Sequence, residues 1–153
     1  MHARMRFTRA ALLAVALICL AATPAHGDGA GLAVMRERMQ TYTHKLQLSL
    51  AASNARLADH YLHELEEAAE YVADNLPLYR EYPVGDLTRE MLLPSIEALE
   101  DAVDEADWAT SSIRFAQLLD SCNACHAVTG KGYVRIAPAA GNPFAQDFSV
   151  LED

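Results

Sequence analysis

The stretch Cys122-Asn123-Ala124-Cys125-His126 holds the residue types and spacing from which chemistry can be argued most directly. Two cysteines three positions apart project to one side of a helical turn, and a histidine follows the second without a gap. Four chemistries use such a pair. A dithiol exchange pair of the thioredoxin kind opens a helix after a strand, and no strand pattern precedes Cys122. A zinc site needs two further ligands at matching distance, for which His60 and His63 are the available residues. A structural disulfide across so short a loop restricts the unfolded chain little. The fourth chemistry is covalent attachment of haem c. The two thiols add to its vinyl groups, and the adjacent imidazole becomes an axial ligand of the iron. The adjoining histidine makes this the preferred reading, with Cys122 and Cys125 as the covalent positions, His126 as proximal iron ligand and no catalytic residue.

The N-terminus reads as an address that fits such a cofactor. Arg4, Arg6 and Arg9 form a basic start, Ala10 to Ala22 is an uninterrupted apolar stretch, and Ala25 and Gly27 are small residues ahead of Asp28. That order predicts a cleaved signal peptide over residues 1–27 and a periplasmic mature protein. A cut after Ala25 is the alternative site. The run is short for a membrane anchor, and bulky Ile18 before Cys19 disfavours a lipoprotein cysteine. Cleavage removes three arginines and no acid, so the mature chain is more acidic than the formal −9 of all 153 residues. An acidic chain is a poor partner for nucleic acid, whose phosphates are held by Lys and Arg clusters. With 52% apolar residues it is too hydrophobic for an acidic disordered tail. Membrane insertion after cleavage is not expected.

The elements that must position the motif are helical. Met35, Met39, Tyr42, Leu46 and Leu50 recur at three- and four-residue steps, predicting one helix from Leu32 to the Ser53-Asn54 break. A second runs from about Ala55 to Asn75. Pro77, Pro83 and Gly85 mark Leu76 to Asp86 as a loop. Thr88 is expected to start a third helix, with Pro94 in its first turn. Asp107 caps a fourth, carrying Trp108, Phe115, Leu118, Leu119 and Cys122. Short links between four such helices predict an all-α fold, an antiparallel four-helix bundle over residues 28–131. Residues 132–153 form an irregular tail whose Tyr133, Ile136, Phe144 and Phe148 are apolar enough to lie packed on the domain.

A helical bundle with C-x-x-C-H on its last helix resembles the class II c-type cytochromes, the cytochrome c′ and cytochrome c556 group. The resemblance covers Leu32 to His126 and rests on the haem box, so it implies haem attachment at Cys122 and Cys125 and ligation by His126. Here 27 residues follow the motif, whereas in that group it lies near the C-terminus. The stretch Gly132-Tyr133-Val134-Arg135-Ile136 with Asn142-Pro143-Phe144 resembles the tails of exported monohaem proteins of unassigned function.

The sixth iron position separates the function classes. In an antiparallel bundle the end of helix four meets the start of helix one, where Met35, Met39 and Tyr42 lie. Methionine ligation raises the potential and suits electron transfer, and the six-coordinate members of the resembled group take a methionine from the first helix. Met39 is therefore the candidate sixth ligand. Core packing is the ordinary role of such a methionine and would leave an open site for nitric oxide or carbon monoxide. His44 lies about 160° from the stripe centre. It is a second ligand candidate or a residue of the surface or of a contact between two copies, so a homodimer stays open. The pair His60 and His63, with Glu64 and Glu67 beside it, is a weaker metal candidate. Acids cluster at Glu64, Glu66, Glu67, Glu70 and from Glu97 to Asp107. They are solvated faces or a field that steers a basic redox partner. The expected function is electron transfer rather than catalysis, with a gas-binding cytochrome as the alternative and a small peroxidase ranked last, for want of a distal base.

Overall fold

Asn54 and Asp107 set the folding plan, because each ends one helical reversal and starts the next helix. A computed structural model describes residues 28–151. The leader expected over residues 1–27 lies outside them. Helix α1, Asp28–Ala51, closes with Asn54 N–H donating to Ser49 O at 3.0 Å and Ser53 N–H to Leu50 O at 3.0 Å, while Ser53 adopts a left-handed φ of 51°. This paired termination satisfies carbonyls that the helix leaves unpaired. Asn54 Oδ1 then accepts from Leu57 N–H at 3.1 Å and caps α2, Ala55–Asn75. The same device recurs at Ala106, with φ 53°, and at Asp107, whose carboxylate accepts from Thr110 N–H at 3.0 Å and opens α5, Trp108–Val128.

The third helical segment starts one turn earlier than the sequence suggests. Val84–Leu87 is already helical (α3), Thr88–Leu92 is a π turn and Leu93–Asp104 is α4. Thr88 is thus interior, its hydroxyl donating to Val84 O at 2.7 Å within the helix rather than capping it. Pro94 explains the π turn. Its ring crowds the carbonyl one turn back and it has no N–H to give, so the turn widens and Leu93 N–H reaches Thr88 O. Gly85 is not a loop glycine either. A Cβ there would lie 2.9 Å from Ala73 O and 3.1 Å from Pro77 Cα, so its bareness allows α3 to lie on the end of α2.

The described residues form no strand, only a backbone pair between Tyr79 and Tyr82. The fold is all-α. Helix α1 packs on α2, α2 on α4, α4 on α5, and α1 also meets α5. The main core draws Leu46 from α1, Leu62 and Leu65 from α2, Ile96 and Leu99 from α4, and Phe115 and Leu118 from α5. A second cluster joins Leu32, Val72, Leu76 and Val84. Polar Thr43 and Ser49 are also buried on α1, a feature that an apolar stripe does not reveal. The hydroxyl of Ser49 is satisfied by Lys45 O at 2.9 Å.

Residues beyond α5 are irregular but tied down. Phe148 is 7% exposed in the main core, and Ile136 and Phe144 pack against it. Tyr133 departs from its expected place and stands 77% exposed, its hydroxyl 3.2 Å from Lys131 Nζ. No helix among the described residues is long and apolar enough to cross a membrane.

Candidate functional site

The last two turns of α5 bring Cys122, Cys125 and His126 to the wall of one cavity of about 340 Å³. Their spacing dictates this, since positions three and four apart share a helix face. The facing wall comes from α1, where Met39 and Thr43 lie one turn apart, and from Leu65 and Val72 of α2. Met39 touches both apolar clusters, whereas Met35 packs only against the second and lines a separate groove with Arg38, Tyr42 and Glu64. Val134 and Ile136 of the tail close another side of the cavity, and Arg36, Glu37 and Lys131 supply charge around it. The volume lies in the range of small-molecule and cofactor sites.

The chain after His126 turns back over its ring. Gly130 takes φ 70°, its N–H donates to Ala127 O at 3.1 Å, and Lys131 N–H donates to His126 O at 2.7 Å. Glycine suits this left-handed position, the ordinary close of a helix. The reversal carries Val134 O to within 2.9 Å of His126 Nδ1. A carbonyl oxygen only accepts, so Nδ1 carries a proton, and in the neutral ring this leaves the lone pair on Nε2. A metal-ligating histidine takes the same arrangement. Asn123, between the cysteines, pairs twice with the Ile136 backbone: Nδ2 donates to its carbonyl at 2.9 Å and Oδ1 accepts from its N–H at 2.7 Å.

Burial pushes the Cys122 thiol up to about 11, helped by neighbouring Cys125, and burial raises Cys125 as well. Both are protonated at neutral pH. A dithiol exchange pair needs the opposite, a thiolate stabilised near neutrality. No disulfide joins the two cysteines.

The other histidines lie elsewhere. His44 turns away from the cavity, with Nε2 2.9 Å from Gly141 O and its ring edge-on to Phe144 at 4.9 Å. His63 Nε2 lies 3.3 Å from Glu67 on the exposed side of α2, and His60 leans on Tyr61. Among the described residues no three of His, Cys, Asp and Glu gather as a group able to hold a metal ion. The acids do concentrate between α2 and α4. Burial raises Glu100, and the charges of Glu66, Asp104, Asp59 and Asp101 raise it further.

Asn123, Gln47 and Asn54 are site and strap residues that motif reading passes over. Gln47 pairs with the Ala139 backbone at 3.2 and 2.8 Å, and Asn54 Nδ2 donates to Phe148 O and Ser149 O at 3.2 and 2.9 Å. Gln47 and Asn123 show in the sequence only as polar amides within helices, and Asn54 shows only as part of the break between α1 and α2. Comparison with family models, with curated proteins and with solved structures gave no match.

Proposed function

We propose that this chain is an exported monohaem c-type cytochrome that carries electrons, built as an antiparallel four-helix bundle of the class II kind with a packed C-terminal tail. One observation carries the reading: the two thiols, the imidazole and the Met39 thioether line a single, largely apolar cavity. The three-residue links at Ala52–Asn54 and Glu105–Asp107 support the antiparallel arrangement, because so short a link returns the chain beside itself. Cys122 and Cys125 hold the haem c covalently, His126 is the proximal ligand of its iron, and Met39 is the sixth. When bound, the haem supplies a one-electron iron couple.

The chain's own residues set the conditions for that couple. His126 offers Nε2 because Val134 O occupies the proton on Nδ1. Leu65, Val72 and Ile136 keep the cavity apolar, which disfavours the more charged oxidised form. The acids around Glu66 and Glu100 attract a redox partner with a basic surface. The signal peptide over residues 1–27 delivers the chain to the periplasm.

The test is the mass of the denatured mature protein, made in cells with a working cytochrome c maturation system. Wild type should carry the mass of one haem, and a Cys122→Ala, Cys125→Ala chain should carry none. An unmodified wild-type mass overturns the reading. A ferrous spectrum that carbon monoxide leaves unchanged supports the carrier. An immediate shift assigns an open site and a gas-binding protein instead.

A further inference from the structure

The two residues between the cysteines of a C-x-x-C-H string carry no part of the attachment chemistry, yet one of them here makes a specific pair of bonds. We infer that Asn123 is a positioning residue for His126, acting through the tail. By gripping Ile136 it holds the Val134 carbonyl on the imidazole and fixes which ring nitrogen carries the proton. This deepens the haem reading, though the geometry stands on the chain alone.

Three observations carry it. First, the segment from Lys131 to Ile136 is pinned at both ends. Lys131 N–H donates to His126 O at 2.7 Å, Val134 N–H donates to Lys131 O at 2.7 Å, and Asn123 binds both backbone groups of Ile136. Second, burial does not hold the middle of that segment, since Tyr133, Val134 and Arg135 are all exposed. The pins do. Third, Val134 O is the hydrogen-bond partner of His126 Nδ1. Without that carbonyl, neutral imidazole is free to carry its proton on either nitrogen. The tautomer with the proton on Nε2 leaves no lone pair on that nitrogen. A carbonyl on Nδ1–H also raises the basicity of Nε2. Asn123 thus reaches the ligand through two backbone residues, at the level of orientation and proton placement.

The amide pair made by Gln47 with Ala139 gives a matched control, because it grips the same tail by the same geometry but farther along. The readout is exchange of the His126 Nδ1 proton with solvent, followed by NMR in the isolated mature chain labelled with ¹⁵N-histidine. In Asn123→Ala this proton should exchange on the order of tenfold faster, the factor that one net hydrogen bond supplies. Asn123→Asp keeps the acceptor for Ile136 N–H and loses the donor, so its rate should fall between the two. Gln47→Ala should leave the rate unchanged. An unchanged rate in Asn123→Ala, or equal acceleration in Gln47→Ala, overturns the proposal, the second by showing general loosening of the tail. If Asn123→Ala loses its helical circular dichroism, Asn123→Asp decides alone. The proton is present with or without haem, so a wild-type chain lacking haem refutes the cytochrome reading while this exchange still tests Asn123.

Discussion

Replacing Asn54 with alanine removes a helix cap and a tail anchor together, and the two losses can be separated. Asn54 is 8% exposed; its Oδ1 caps α2 through Leu57 N–H, and its Nδ2 donates to Phe148 O and Ser149 O. The cap contributes about 1 kcal/mol. Each bond to the tail adds roughly 0.5–1.5 kcal/mol, with a further cost if the carbonyl of buried Phe148 is left unpaired. Asn54→Ala should therefore lower unfolding free energy by about 2–4 kcal/mol. Asn54→Ser keeps a capping oxygen but is too short to reach the tail, so it should recover only the cap, about 1 kcal/mol. Urea unfolding of the mature chain, followed by circular dichroism, measures both. A loss below about 0.5 kcal/mol in Asn54→Ala would refute the sum. A serine variant as stable as wild type would show that the tail bonds contribute nothing.

Met39→Ala should abolish the sulfur-to-iron charge-transfer band at the red end of the ferric spectrum and lower the reduction potential, since thioether ligation raises it; Met35→Ala, which alters a different groove, should leave the band in place. Asp107 is held below the ordinary carboxylate value by the N–H and hydroxyl of Thr110. A depressed carboxylate adds stability above the unfolded-state pKa of about 3.9 and loses it as pH falls through the lower folded value. Asp107→Asn still caps α5 but cannot titrate, so thermal unfolding measured from about pH 6 down to about pH 2 should show a shallower acid-side decline than wild type.

The helices were legible where a stripe and a cap coincide. Helix α2 occupies the span that its apolar period and Asn54 indicate, and Asp107 caps α5. The start of the third segment was not legible, because Pro83 and Gly85 signal a loop in isolation. In the fold Pro83 stands just ahead of a helix, and Gly85 is small to admit Ala73 and Pro77. The role of Gly85 depends on contacts with the end of α2 and the link after it, which no local pattern shows. The cysteines and His126 announce themselves by spacing alone. Asn123, Gln47 and Asn54 do not, since an amide that binds a backbone segment 13 or more than 90 positions away leaves no local pattern.

Helix α1 shows why the sixth-ligand question needs the tail for its answer. Met39 and His44 are five residues apart, about 140° around the helix, so they cannot face the same element. Met39 and Thr43, four apart, follow one edge along the cavity. His44 and Gln47, three apart, follow another and hold Gly141 and Ala139 of the tail. The sequence fixes the angle between these edges but not which one meets α5. Turning α1 to bring His44 into the cavity would pull Leu46, fully buried in the main core, toward solvent. That exposure costs about 1.5–3 kcal/mol. It would also break both bonds of Gln47, at roughly 0.5–1.5 kcal/mol each. No comparable penalty attaches to the observed rotation, because it leaves the thioether at the cavity wall and the imidazole on the strap. The buried Leu46 and the tail bonds of Gln47 together therefore hold Met39, rather than His44, at the cavity wall.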